Sequence, residues 1–284
     1  MLTGKAAVAG VIGWPVAHSL SPCLHGYWLK KYGIDGAYVP LAVHPADIED
    51  AIRSLPKLGL RGANVTVPHK ERALRAVDCL SEDARRIGAV NTVIVAADGC
   101  TRGDNTDAYG FMASLRAGCP SWSASAGPAV VIGAGGAARA VCVALLDTGV
   151  AELRLVNRTT TRAETLAAHL GASSTRIFAW TDSHLALSDA ALLVNATTLG
   201  MVGYPPLPLD LPPLPSAAVI IDIVYRPLST PLLSAAAARG HITIDGLGML
   251  LHQARPGFKA WFGVEAEVDD ALRDHVLAAM GGEA

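Results

Sequence analysis

The chain has 284 residues, of which 51% are hydrophobic and 17% charged, with a net charge of −2. That length is enough for one large or two ordinary domains with real cores, and a charged share below the usual ~25% excludes a disordered chain. No bulk field draws the chain to nucleic acid or to an anionic membrane, so any recognition of an anion has to be local. Lys5 precedes the apolar run AAVAGVIGWPVA. A signal peptide can look like this, but one lysine is a thin basic region, and Gly10, Gly13 and Pro15 interrupt the run. A buried first strand over 6–13 is expected instead. SPCLHGYWLKKYGI (21–34) carries Leu24, Trp28 and Leu29 at helical spacing, with Ser21 as cap and Pro22 in the first turn. AYVPLAV (37–43) returns to strand, PADIEDAIRSL (45–55) to helix, and RGANVTV (61–67) to strand, with Pro68 opening a further helix. AVNTVIVAADGCTRGDNT (89–106) reads as a strand, a turn at Asp98-Gly99 and a short return.

A polar, small-residue stretch at 118–128 reads as a connection between domains. After it, residues 128–158 spell strand, glycine-rich turn, helix and strand, one complete βαβ unit. ALLVNAT (191–197) and AVIIDIV (218–224) continue a parallel sheet, and the proline-rich GYPPLPLDLPPLP (203–215) reads as a covering loop. The last forty or so residues return to helix. The central unit is therefore an open, doubly wound α/β sheet of the Rossmann type. No stretch reaches the ~18–20 uninterrupted apolar residues of a membrane span. The five cysteines have no C-x-x-C pair, and the nine histidines form no ligand cluster with cysteine or acids. Neither a disulfide framework nor a metal site is expected, and reduced thiols fit a cytoplasmic protein.

The segment Gly133, Ala134, Gly135, Gly136, Ala137, Ala138 matches G-x-G-x-x-[G/A]. Alone the pattern is weak, but here it follows an apolar strand and opens a helix. Gly133 permits the tight turn, Gly135 lets the backbone approach a pyrophosphate, and Ala138 keeps the helix close to the sheet. The bland alternative is a plain strand-to-helix turn. The end of the second strand selects the cofactor. An NAD site places an acid there for the ribose 2′-hydroxyl. This chain has Asn157, Arg158 and Thr159, then Arg162, and no acid. A guanidinium matches a 2′-phosphate, so the reading is NADP, against the alternative of ordinary surface arginines.

Further polar residues sit beside strands: Ser19 and Ser21, Asn64, Thr66 and Lys70, Asn91, and Asp107. Singly each has a bland reading, as helix cap, turn anchor or solvated lysine. Together they gather where α/β sheets bind ligands, at the carboxyl ends of strands. They suit a small polyhydroxylated acid, with Lys70 and Asp107 as a plausible proton-transfer pair.

The stretches HSLSPCLH, GANVTVPHK, GAVNTV, GDNTDAYGF, GAGGAARA, NRTTTR, NATTLGM, DIVYRPLSTPLL and DGLGMLLHQ occur in that order. Through them the chain resembles the shikimate dehydrogenase family over essentially its whole length. The resemblance implies NADP-dependent, reversible reduction of 3-dehydroshikimate to shikimate, a step of aromatic amino-acid and chorismate biosynthesis. It implies a discontinuous α/β substrate-binding domain (1–110 with 246–284) and a Rossmann-type NADP-binding domain (111–245). It assigns the substrate carboxylate to Ser19 and Ser21, ring hydroxyls to Thr66, Asn91 and Gln253, and a lining position to Tyr225. Lys70 and Asp107 become the catalytic pair. Thr197, Leu199, Met201, Ile223 and Gly246 join Gly133–Ala138 and Asn157–Arg162 at the cofactor. Two positions depart from the family pattern: Gly26 stands where Asn is frequent, and Ile223 where Met is frequent. A quinate or amino-shikimate dehydrogenase of the same family, a non-catalytic NADP-binding regulator and a metal-dependent alcohol dehydrogenase are the rivals. Retention of Lys70 and Asp107 opposes the regulator, and the scattered histidines oppose the metal enzyme. The expected partner is a small molecule, with neither nucleic acid nor membrane, and the assembly is a monomer or homodimer.

Overall fold

The first apolar run becomes β1 (Ala7–Gly13), its last five residues buried. In the computed structural model, which describes residues 2–281, the chain divides into two units. One holds the residues up to 106 together with those from 251; the other holds 107–250. In the first unit β1 is followed by α1 (Ser21–Lys31), β2 (Gly36–Ala42), α2 (Ile48–Ser54), β3 (Gly62–Val65), β4 (Cys79–Leu80), α3 (Glu82–Ile87), β5 (Thr92–Val95) and β6 (Thr101–Asp104). The sheet order is β2-β1-β3-β5-β6-β4. β2 and β3 run parallel to β1, whereas β5 runs antiparallel to β3 and β6. The Asp98-Gly99 turn makes that reversal, closed by the Gly99 N–H on the Ala96 carbonyl at 3.0 Å.

One face of this sheet packs Ile12, Val65 and Val93 against Ile48 and Ile52 of α2. On α1, Leu24, His25 and Trp28 are fully buried. The His25 ring stacks on Tyr38 at 3.9 Å between centroids, beside Trp28, Phe258 and Trp261. Neither His25 ring nitrogen has a well-formed hydrogen bond, though Asn64 lies near enough to act on the ring. Burial pulls this imidazole down to about 3.

Two local expectations fail. Ser21 does not cap α1: Leu20 holds that position without a side-chain bond, and Ser21 is the first helical residue, its N–H 3.4 Å from Ser19 Oγ. Nor does Pro68 open a helix. The His69 N–H closes a turn on the Thr66 carbonyl at 2.9 Å, and the Lys70 carbonyl is taken by the Val90 N–H at 2.8 Å. The His69 ring, 3.0 Å from the Val43 carbonyl, ties the turn to the chain after β2. With the Lys70 carbonyl taken by Val90, the chain makes only the single turn that the Ala73 N–H closes on the His69 carbonyl at 2.9 Å and a short 3-10 turn at Arg72–Arg75.

The second unit runs α4 (Asp107–Gly118), β7 (Ala129–Ile132), α5 (Gly136–Asp147), β8 (Leu153–Val156), α6 (Thr160–Leu170), β9 (Thr175–Phe178), α7 (Ser183–Leu187), β10 (Leu192–Asn195), β11 (Val219–Asp222), α8 (Pro231–Ala238) and β12 (Ile242–Ile244). Its strands are all parallel, in the order β12-β11-β10-β7-β8-β9. This is the Rossmann arrangement, with the strand order reversing between β7 and β10. All four residues of β7, β8, β10 and β11 are buried, as a sheet covered on both faces requires. The stretch 118–128 lies inside this unit, after α4. The proline-rich segment covers one face of the sheet: Leu207, Leu211 and Leu214 join the core with Ile220 and Leu233.

α9 (Gly246–Phe262) and α10 (Asp270–Gly281) complete the chain. Trp261 Nε1 donates to the Val93 carbonyl at 3.0 Å, and Trp28 Nε1 to the Glu267 carbonyl at 2.9 Å. These bonds fasten the C-terminal helices to the first unit. Among the described residues, no helix is long and apolar enough to cross a membrane.

Candidate active site

Strand direction decides which side chains share an edge of the first unit's sheet. The carboxyl ends of β1, β3 and β6 and the amino end of β5 lie together. Ser19 and Ser21 follow β1, Thr66 and Lys70 follow β3, and Thr106 follows β6. Asn91 does not end a strand, as the sequence reading has it. It precedes β5 and reaches the same edge because β5 runs antiparallel, Thr92 pairing with Asn64. Ser21, Asn64, Asn91, Thr106 and Gln253 are buried, while Ser19, Thr66 and Lys70 are half-buried.

A continuous hydrogen-bond network sets the orientation of the amides. Tyr38 Oη donates to Asn64 Oδ1 at 2.6 Å, and Asn64 Nδ2 donates to Thr92 Oγ1 at 3.1 Å and to the Asn91 carbonyl at 3.2 Å. Thr92 Oγ1 donates to Asn91 Oδ1 at 2.9 Å, which also accepts the Thr106 N–H at 2.8 Å. Asn91 Nδ2 reaches Thr106 Oγ1 at 3.0 Å and Gln253 Oε1 at 3.3 Å, and Thr106 Oγ1 donates to the Gln253 carbonyl at 2.8 Å. Burial pushes the Tyr38 phenol well up, so it stays a neutral donor. Asn91 and Gln253, 162 residues apart, are thus brought together. Tyr38 and Thr92 are absent from the sequence reading. Both sit in strand patterns, and nothing local marks their partners.

In the second unit, Gly133 follows β7 and Asn195 ends β10, the neighbouring strands where the order reverses. Gly133 has φ +115°, and a Cβ there would come within 3.0 Å of the Ala196 carbonyl oxygen and 3.1 Å of Thr197 Cγ2. By contrast, nothing lies within 4 Å of a Cβ built on Gly135. Gly135 is the extended N-cap of α5, and no side chain caps the first N–H groups. Buried Ala138 holds the helix against the sheet. A close turn, an open space and uncapped amides at a helix start together fit a dinucleotide pyrophosphate. At the end of β8 Asn157 Nδ2 bonds the Thr159 carbonyl at 2.8 Å, shaping the turn into α6. Arg158 is exposed with no ion pair to any described residue, and Arg162 is exposed in the first turn of α6. The chemistry of this set fits a 2′-phosphate.

Beyond β10 and β11 a second buried network appears. Asn195 Oδ1 accepts from Thr197 N–H at 3.1 Å and Thr197 Oγ1 at 2.7 Å; Asn195 Nδ2 donates to the Leu199 carbonyl at 3.1 Å and to Asp222 Oδ1 at 2.9 Å. Asp222 Oδ1 also accepts the Val224 N–H at 3.0 Å, and Oδ2 accepts Thr230 Oγ1 at 2.7 Å. Burial pushes the Asp222 carboxyl up, while these donors pull it down. Thr197, Leu199 and Met201 lie half-buried on the turn after β10, and Ile223 and Tyr225 half-buried just after β11. The Gly246 N–H meets the Val224 carbonyl at 3.3 Å. Asp107, the first residue of α4, is buried. It belongs to the second unit and Lys70 to the first. Among the described residues no group of three or more His, Cys, Asp or Glu side chains could hold a metal ion.

Comparison with known proteins matches residues 11–93 to the family model described as shikimate dehydrogenase substrate binding domain, and residues 121–200 to that of shikimate / quinate 5-dehydrogenase. The shikimate dehydrogenase (NADP(+)) of Rhodospirillum rubrum is 61% identical, over 98% of this chain and 99% of its own length. The structure of shikimate 5-dehydrogenase from Thermus thermophilus, in complex with NADP(H) and shikimate, superposes with a TM-score of 0.86 at 37% identity, covering 96% of this chain and 99% of that one. Quinate dehydrogenase from Corynebacterium glutamicum, in complex with NAD, gives a TM-score of 0.88 at 33% identity, with 96% and 99% coverage.

Proposed function

The chain belongs to the shikimate dehydrogenase family, and we propose that it reversibly reduces 3-dehydroshikimate to shikimate with NADPH. The observation that carries this reading is the polar edge of the first unit's sheet, where hydroxyls, two carboxamides and one lysine share the strand ends. That set suits a small ring with one carboxylate and several hydroxyls. In this reading Ser19 and Ser21 hold the carboxylate, while Thr66, Asn91 and Gln253 hold ring hydroxyls and Tyr225 lines the site. Lys70 stabilises the oxyanion that forms at C3 and delivers a proton to it from Nζ. Asp107 is the other residue of the catalytic pair in this reading.

The nicotinamide supplies the hydride when bound. Gly133, Ala134, Gly135, Gly136, Ala137 and Ala138 hold the pyrophosphate in this reading, and Asn157, Arg158, Thr159 and Arg162 the 2′-phosphate. Thr197, Leu199, Met201, Ile223 and Gly246 border the nicotinamide end. The NADP named for the Rhodospirillum rubrum and Thermus thermophilus proteins supports the choice of cofactor. The free thiols fit a cytoplasmic enzyme, acting as monomer or homodimer on a small molecule.

The test is turnover of shikimate or quinate, each with NADP⁺ or NAD⁺, followed as reduced cofactor at 340 nm. Activity chiefly with shikimate and NADP⁺ is expected. Preference for quinate and NAD⁺, the pair of the Corynebacterium glutamicum neighbour, would overturn the substrate and the role of Arg158. No turnover by protein that binds NADP⁺ would overturn the enzymatic reading itself.

A further inference from the structure

We propose that Asp222 is a positioning residue for the nicotinamide end of the cofactor site, acting through Asn195 and Thr230. The inference rests on the reading that Thr197, Leu199, Met201 and Ile223 border that end. Asp222 is fully buried, and no ion pair with any described residue offsets its charge. A carboxylate in that place is costly unless it organises its surroundings. Here it accepts donors from three separate segments: the end of β10, the backbone after β11, and the cap of α8.

An ionised carboxylate only accepts, and this gives the network its direction. Asn195 must turn Nδ2 toward Asp222, which leaves Oδ1 to face Thr197. Asn195 Oδ1 then takes both the N–H and the hydroxyl of Thr197, and Thr197 Oγ1 in turn accepts the Leu199 N–H at 3.0 Å. The turn that carries Thr197 and Leu199 is shaped from inside by this relay. On its other side the same carboxylate holds the Val224 N–H, between Ile223 and Tyr225. Thr230 locks the remaining oxygen and caps α8 through the Leu233 N–H at 3.3 Å. One buried group therefore sets two backbone segments at once. An asparagine at 222 could present either end of its amide to Asn195, and the direction of the relay would no longer be fixed.

The experiment compares Asp222→Asn, Asp222→Ala, Thr230→Val and Thr230→Ser with the unaltered chain. NADP⁺ affinity is measured by calorimetry, and kcat and KM for each substrate by the 340 nm assay. Asp222→Ala is expected to weaken NADP⁺ binding and lower kcat by roughly tenfold or more, with Asp222→Asn intermediate and KM for shikimate within about twofold. Thr230→Ser should restore what Thr230→Val loses. Folded Asp222 variants that keep unaltered NADP⁺ affinity and kcat would overturn the proposal. So would an equal loss of affinity for shikimate and NADP⁺, which marks general damage. Should Asp222→Ala fail to fold, Asp222→Asn and the Thr230 pair decide by the same outcomes. An unaltered chain that binds NADP⁺ without turning over shikimate overturns the functional reading and leaves Asp222 to be judged on binding.

Discussion

At the candidate site edge of the first unit's sheet the strands run into polar side chains, whereas at the switch point of the second β7 runs into a glycine turn. The first edge presents Ser19, Thr66, Lys70, Asn91 and, through Asn91, Gln253, with the amides oriented by the Tyr38–Asn64 network. The second presents backbone: the Gly133 turn, the open Gly135 and the uncapped start of α5. The difference matches what each would have to recognise. A small ring has few atoms and distinct groups, so selectivity has to come from individual side-chain donors and acceptors. A pyrophosphate is bound well by amide N–H groups that any sequence carries, provided no side chain stands in the way. Each edge has its own buried support, a neutral network in one unit and a carboxylate-centred one in the other.

That contrast can be broken most severely at Lys70. Lys70→Ala should lower kcat by about 10²–10⁴-fold while NADP⁺ affinity stays unchanged, a split that steady-state kinetics with calorimetry will show. Equal loss of both would mean that the two edges are not chemically separate. The exposed Arg158 tests the other side. Arg158→Ala should reduce the preference for NADP⁺ over NAD⁺, as the ratio of kcat/KM values, by roughly ten- to a hundredfold, the worth of a charge-assisted hydrogen bond. An unchanged ratio would return Arg158 to the ordinary surface. Gly133→Ala sharpens the backbone side. A Cβ at φ +115°, 3.0 Å from the Ala196 carbonyl, should cost ~1–3 kcal/mol and weaken NADP⁺ by about tenfold or more, with shikimate binding intact by calorimetry.

The prediction with the least bearing on activity lies behind the side-chain edge, at His25. Its folded value of about 3 lies below the ordinary 6.5, so between those values the unfolded chain takes up a proton that the folded chain refuses. This contribution to stability is complete above pH 6.5 and declines as pH falls toward 3, by ~1.4 kcal/mol per pH unit. Urea unfolding at several pH values should show a shallower loss for His25→Phe than for the unaltered chain. Identical slopes would argue against a buried neutral imidazole under Tyr38.

Features governed by neighbours in sequence were legible beforehand. The glycine turn with its strand and helix, the Asp98-Gly99 reversal and the leucines of the proline-rich cover each follow from local pattern. What escaped were bonds between distant segments. Tyr38 reads as one more aromatic residue in a strand, and its bond to Asn64 exists only because β1 lies between β2 and β3. Asn91 joins the site edge through strand direction, which hydropathy does not carry. Ser21 has the composition of a cap, but Leu20 takes the position. Asp222 did leave a trace: a carboxylate inside the apolar run AVIIDIV has to be satisfied from elsewhere. Its partners Asn195 and Thr230 could not be read from that run alone.

The way the first unit is assembled from two ends of the chain bears on how the protein is made. As the polypeptide leaves the ribosome, β1 to β6 emerge early, but Gln253, Trp261 and the Glu267 carbonyl, which bond to Asn91, Val93 and Trp28, come last. Residues 107–250 have to be synthesised in between, roughly 7–30 s at ~5–20 residues per second. During that interval the strands of the second unit emerge one after another, β12 only at its end, while the buried aromatic residues around Trp28 wait without their cover. The nascent chain therefore passes through a long stage in which the first unit is unfinished, and that stage is where a chaperone would find exposed apolar surface to hold.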